Sequence, residues 1–229
     1  MVGSNRVSAI SSPIGALGLR SAPVKGPPWP IEDPPRSSLE TFLNWLDAQA
    51  GATGVYEYVS EPVGEAQPVL SIRYMDCPDP GTQLGFTFGV SAVVNPLWGS
   101  LRPELAICVD SADPRWSWAL ADIGDRVRTT SVFLPGDTIE IGEAISDESA
   151  MDSFVLWHQL ISEDEAILPL DGHEVVLVQA LPVHRGELEH IRRETDREAG
   201  VRAFLGALAE RGIPVTDVRR DPIYSGERP

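Results

Sequence analysis

Four histidines and two cysteines are the side chains of this sequence best suited to metal binding or nucleophilic chemistry, and their spacing supports neither. His158, His173, His184 and His190 form no HExxH pair and no Cys/His knuckle, the patterns by which a helix or loop offers several ligands to one zinc ion. In the run His184-Arg185-Gly186-Glu187-Leu188-Glu189-His190 the two imidazoles lie about 120° apart around a helix, so they share no face. Cys77, beside Pro78, and Cys108, inside an apolar run, lack ligand spacing and are expected as reduced thiols. A hydrolase needs a nucleophile with its base, or a metal with several ligands. No Gly-x-Ser-x-Gly elbow, P-loop or dinucleotide fingerprint is present. The sequence therefore assigns no catalytic residue, no metal ligand and no cofactor, and a metal-dependent hydrolase is the remotest of its readings.

Acidic residues are the more telling chemistry. The formal net charge is -16, Lys25 is the single lysine, and all other positive charge is on arginine. From Thr129 through His184 there is no Lys or Arg, while Asp137, Glu140, Glu143, Asp147, Glu148, Asp152, Glu163, Asp164, Glu165, Asp171 and Glu174 supply acid throughout. Such a surface repels nucleic acid and anionic membranes and attracts basic proteins. Asp137, Glu140, Asp147, Glu148 and Asp152 lie in one expected strand and its following loop, and they are the candidate partner-binding residues. An edge strand that uses charge to avoid aggregation would carry the same residues. No window approaches the roughly 18 apolar residues of a membrane span, and the apolar run Ile14 to Leu19 is too short and glycine-rich for a signal peptide. A cytoplasmic location is expected.

These residues must be positioned by a core that 229 residues with 42% hydrophobic content can supply. Residues 1–36 form a Pro/Gly/Ser-rich leader without apolar period, expected to be disordered, and residues 37–229 the folded domain. Ser37 and Glu40 read as a capping box, followed by a Leu39, Phe42, Leu43, Leu46 stripe that ends near Gly51. Alternation predicts strands at Val55 to Val59 and Val69 to Tyr74 with a turn around Pro62 to Pro68, and further strands at Phe86 to Ser91 and Glu104 to Val109. Asp113-Pro114 starts a helix carrying Trp116, Ala119, Leu120, Ile123 and Val127, with Trp116 and Trp118 as core and rim. Pro135-Gly136-Asp137 turns into a strand ending near Ile141, and Phe154 to His158 is another. Val175 to Leu181, the longest apolar run, is expected as a central strand. It is followed by two short helices and a return strand near Thr216 to Arg220. Gly212 and Pro214 stop the final helix, whose stripe is Val201, Phe204, Leu205 and Leu208.

The order of several landmarks resembles the suppressor of fused family. They are Phe88-Gly89-Val90-Ser91, a Glu-Leu strand opening at Glu104, a Trp-led helix at Trp116, Gly136-Asp137, Glu187-Leu188, a glycine opening the second helix, and Thr216-Asp217-Val218-Arg219-Arg220. The resemblance spans about residues 84–223. It implies a single α/β (α+β) domain, with a mixed, largely antiparallel sheet flanked by helices, that holds another protein without catalytic residues or cofactor. Animal members add a C-terminal domain that helps clamp a transcription-factor peptide, and a chain ending at Pro229 has no room for it. Single-domain bacterial relatives are widely proposed to be immunity proteins that neutralise toxins, and this chain looks like them. In the two-domain relatives the Asp of the Gly-Asp turn lies at the peptide groove, which maps to Asp137. Their preceding helix usually contributes an aromatic near its end, where this chain has Gly124-Asp125-Arg126, a departure from the animal type of recognition. The expected function is occlusion of a toxin's basic surface, with a regulatory adaptor that binds without inhibiting as the alternative.

Overall fold

A computed structural model describes residues 36–58, 68–158 and 167–224. Most of the expected leader, the Ser37 side chain of the expected capping box, and the turn after the first strand lie outside the described residues. The elements in chain order are α1 (Arg36–Ala50), β1 (Val55–Tyr58), β2 (Leu70–Met75), β3 (Gln83–Phe88), β4 (Leu101–Val109), α2 (Arg115–Val127) and β5 (Thr138–Glu140). They continue with β6 (Ser153–His158), β7 (Ile167–Leu170), β8 (His173–Val183), α3 (Arg185–Arg193) and α4 (Arg197–Glu210).

One sheet organises the domain, in the order β1-β2-β3-β4-β8-β6-β5, with β7 also paired to β8. β4 and β8 run parallel and every other pairing is antiparallel. The expected central strand is therefore central: β8 pairs along one edge with β4, and along the other with β7 at its start and β6 at its end.

Alternation along the strands divides the core between two faces. Phe154 and Leu156 of β6, Val178 and Ala180 of β8, and Leu105, Ile107 and Val109 of β4 pack with Trp116, Leu120 and Ile123 of α2 on one face. The neighbouring Val155, Trp157, Leu181 and Val183 turn to the other face, where Leu188 and Ile191 of α3 and Val201, Phe204 and Leu208 of α4 cover them. Phe42 and Leu46 of α1 cover Leu70, Ile72, Leu84, Phe86 and Phe88 on the same side. Each such buried side chain contributes about 1.5–3 kcal/mol, so these stripes outweigh the local propensities of the short strands.

Two expectations about strands need correction. β3 stops at Phe88 instead of running to Ser91, because Gly89 has φ +115 and the chain turns there around a buried carboxylate. Thr216 to Arg220 forms turns, not a return strand. Its polar side chains reach across to other elements, and that takes the place of a strand ladder. β7, which contains Pro169, was not expected at all.

Candidate partner-binding surface

The Gly136-Asp137 turn begins at the end of the sheet. Gly136 has φ +87, and an added Cβ would meet Arg197 Cβ at 3.0 Å and the Glu198 amide nitrogen at 3.2 Å. Only glycine lets the turn approach the start of α4 this closely. The Asp137 amide donates to the Leu134 carbonyl at 2.9 Å, and the Leu134 amide donates to Asp137 Oδ2 at 2.9 Å. The turn feeds β5, which is the terminal strand of the sheet, so one of its hydrogen-bonding edges has no strand partner among the described residues.

Two loops, one after β3 and one leading to the Gly136-Asp137 turn, are tied together and carry exposed apolar side chains. Asn95 Nδ2 donates to the carbonyls of Arg128 and Ser131 at 3.1 and 3.0 Å, and Trp98 Nε1 donates to the Ser131 carbonyl at 2.9 Å. The Trp98 and Phe133 rings meet at 6.2 Å. While these anchors are buried, their neighbours Val94, Leu97 and Leu134 stand 81%, 61% and 54% exposed. Anchored loops that hold aliphatic side chains in water have the character of an interaction surface.

The five acidic candidates occupy separate surroundings. Asp137 contacts Arg197 at 3.5 Å, and Glu140 pairs with Arg185 and Arg192 at 3.0 Å each. Asp147 pairs with Arg115 at 2.9 Å and Glu148 with Arg219 at 2.5 Å. Asp152 accepts from the Ser153 hydroxyl at 2.9 Å, and its carbonyl accepts from the amides of Ile141 and Gly142. Asp147 alone is almost fully exposed, with 93% of its side chain accessible. The arginine-free stretch is thus met by arginines from α2, α3, α4 and the C-terminal turns, which linear spacing did not reveal.

Three polar pins hold the surface in place. Glu104, fully buried, accepts from the Thr87 hydroxyl at 2.6 Å, the Gly89 amide at 2.8 Å, and the Ser91 amide and hydroxyl at 3.0 and 2.7 Å. Burial pushes its carboxyl above the usual range, while the Ser91 and Thr87 bonds pull against that shift. Glu187 takes both guanidinium nitrogens of Arg220, at 2.5 and 2.8 Å, and accepts from the His184 and Ile223 amides. At the third pin Asp110 accepts from the Thr216 hydroxyl at 2.8 Å, and its carbonyl accepts from Arg219. Arg219 also reaches Glu148, which accepts from the Ser111 hydroxyl and from Trp116 Nε1. Burial raises the Glu148 carboxyl, but the bonds from Ser111, Arg219 and Trp116 outweigh it and hold it below the usual range.

Both cysteines are free. Burial pushes the Cys108 thiol up to about 12, which keeps it protonated and unreactive. Among the described residues no group of three His, Cys, Asp or Glu side chains is placed to hold a metal ion, and no helix is long and apolar enough to cross a membrane.

The sequence model of the suppressor of fused protein (SUFU) family matches residues 66–221. The chain belongs to the suppressor of fused family. Its fold is also that of solved family structures. A SUFU homolog from Neisseria gonorrhoeae FA 1090 is 16% identical with a TM-score of 0.62, over 81% of this chain and 96% of that one. Drosophila Suppressor of Fused is 15% identical with a TM-score of 0.59, over 80% of this chain, which spans 50% of that protein. The Sufu-Fu complex structure contains a chain 14% identical, TM-score 0.59, with 81% of this chain and 91% of that one covered. No curated protein matches the sequence.

The landmarks that carried the suppressor of fused resemblance are in large part the two halves of these pins. Gly89 to Ser91 and Glu104 form one pair, Glu187 and Arg220 another, and Thr216 bonds Asp110. Sequence reasoning identified their order but not their pairing. The apolar platform escaped it entirely, since Val94 and Leu97 are indistinguishable from core residues until their exposure is known.

Proposed function

We propose that this suppressor of fused domain is a non-catalytic protein-binding module that holds a partner on the face formed by the β5 edge and the platform of Val94, Leu97 and Leu134. The observation that carries this reading is the exposure of those three side chains on loops anchored by buried Asn95 and Trp98, in a sheet whose terminal strand β5 has one edge without a strand partner among the described residues. A solved family structure is of a Sufu-Fu complex, which is in keeping with a holding role.

The partner in this proposal is a toxin enzyme with a basic surface, neutralised in the cytoplasm by occlusion of that surface. The net charge of -16 supports it, because long-range attraction steers a basic protein into encounter and raises the association rate. Residence time is then set by the apolar platform. The adaptor reading, binding without inhibition, draws equally on the Sufu-Fu complex. The test is to purify the protein captured by the full chain and assay its enzymatic activity with and without the chain. Silencing at equimolar ratio supports immunity, whereas stoichiometric binding with undiminished activity replaces it with the adaptor.

A further inference from the structure

A cavity of about 660 Å³ opens where β4 and β8 begin. The Gly136-Asp137 turn joins the sheet elsewhere, through Leu156 of β6, whose partner in β8 is Ala180. β4 contributes Arg102 to the cavity, and the hairpin of β7 and β8 contributes Leu170, Asp171, His173 and Glu174. Asp171 and Gly172, with φ of 50 and 80, form a two-residue turn between the paired Leu170 and His173, a geometry that Asp-Gly readily adopts. An added Cβ at Gly99 or Gly172 would meet nothing within 4 Å, so the rim is open.

Three charged side chains line this cavity, and none of them is ion-paired among the described residues. Arg73, Arg115, Arg128 and Arg220, the other arginines whose described side chains are not exposed, each meet a carboxylate. Arg102 instead donates through Nη1 to the Ser91 carbonyl at 3.1 Å, which leaves most of its five N–H groups uncommitted. Asp171 accepts the Ser38 hydroxyl on Oδ2, its other oxygen has no partner among the described residues, and Glu174 is exposed. Both Arg102 and Asp171 act on the His173 imidazole. Burial and then Arg102 push its pKa below the usual range while Asp171 opposes them, so the ring is neutral at neutral pH and Arg102 is the cation of the cavity.

We infer that this cavity binds a small zwitterion of the amino-acid class, its carboxylate on the Arg102 guanidinium and its ammonium on Asp171 and Glu174. A guanidinium fork takes a carboxylate through two parallel N–H donors, and an ammonium directs three donors at carboxylate oxygens. Opposite charges that share a cavity without closing into a pair are both satisfied by one ligand that carries both signs. A ligand with a single charge is penalised, because an anion meets Asp171 and Glu174 and an amine meets Arg102. The volume is that of small-molecule sites, and buried Leu170 adds apolar surface beside the polar groups. Binding here is independent of the partner-holding function proposed above.

Isothermal titration calorimetry of the full chain with glycine, β-alanine, 4-aminobutyrate and 6-aminohexanoate varies the distance between the two charges, while acetate, butyrate and propylamine present one charge alone. At least one of the four zwitterions should bind saturably below about 10 mM, and the single-charge compounds should bind at least about tenfold more weakly. The same zwitterion should shift the His173 ring signals in NMR spectra, which places it in this cavity. R102Q and D171N/E174Q should each weaken its binding about tenfold. The Asp171→Asn change keeps an oxygen acceptor for Ser38, and circular dichroism verifies both folds. Should a variant fail to fold, the wild-type ligand series and the His173 signals still decide. No saturable binding by any of the four, equal binding of a single-charge compound, unmoved His173 signals, or affinity indifferent to both folded variants would overturn the inference.

Discussion

Glu187 and Arg220 bind each other through two hydrogen bonds of 2.5 and 2.8 Å, with 0% and 2% of their side chains exposed. The pair joins α3 to the C-terminal turns, and His184 Nε2 adds a 3.0 Å bond to the Arg220 carbonyl. Removing one member strands a buried charge, so Arg220→Ala should cost about 3–5 kcal/mol in urea unfolding. Replacing both with apolar residues, as in E187L/R220M, should cost clearly less than the single change. Equal losses would mean that the ion pair itself, and not the stranded charge, supplies the stability.

Glu104 gives a pH dependence with a definite sign. Its raised pKa means the folded protein holds the proton more tightly than the unfolded chain, so its contribution is complete below 4.5 and falls as pH rises past that value. Asp113 and Glu148 are shifted the other way. Their contributions are complete above 3.8 and 4.5 and fall as pH drops through those values toward the lower folded ones. Urea midpoints measured from about pH 3 to about pH 8 should therefore fall away on both sides of a mildly acidic optimum. Glu104→Gln should lower the curve and flatten its alkaline limb, while D113N/E148Q should flatten the acid limb.

Gly136→Ala should destabilise by about 1–3 kcal/mol, because the added methyl meets the start of α4 and the backbone is left-handed. Gly142, with φ +90 but nothing within 4 Å of an added Cβ, should cost less when changed to Ala. Thermal melts of the two variants separate the clash from the backbone strain.

Charge reversal at the acidic candidates should not act uniformly. Asp147→Lys alters an exposed group and should leave the unfolding midpoint nearly unchanged. Glu148→Lys removes the acceptor for Arg219, Ser111 and Trp116 and should cost about 1–3 kcal/mol. A joint reversal of Asp137, Asp147 and Glu148 therefore confounds binding with folding, and Asp147→Lys is the clean probe of electrostatic steering.

Long elements were legible because their apolar period is set by burial: the stripe of α1, the Trp116 face of α2 and the central position of β8 follow directly from spacing. Short or polar elements were not. β7 has only four residues, one of them proline, and is a strand because β8 offers an edge. Thr216 to Arg220 carries alternating side chains like a strand, yet its Thr and Arg bonds pin it to Asp110 and Glu187. The acidic candidates were visible as residues, but their arginine partners come from distant positions such as Arg115, Arg185 and Arg219. Periodicity carries no information about such pairs.

The most direct test of a partner-holding face is parallel affinity capture with the wild-type chain and with V94D/L97D/L134D, whose changes fall on exposed side chains and should preserve the fold. The account predicts one stoichiometric protein on the wild-type chain, absent from the variant, with its enzymatic activity silenced by the wild-type chain alone. Equal capture of that protein by a correctly folded variant would contradict it.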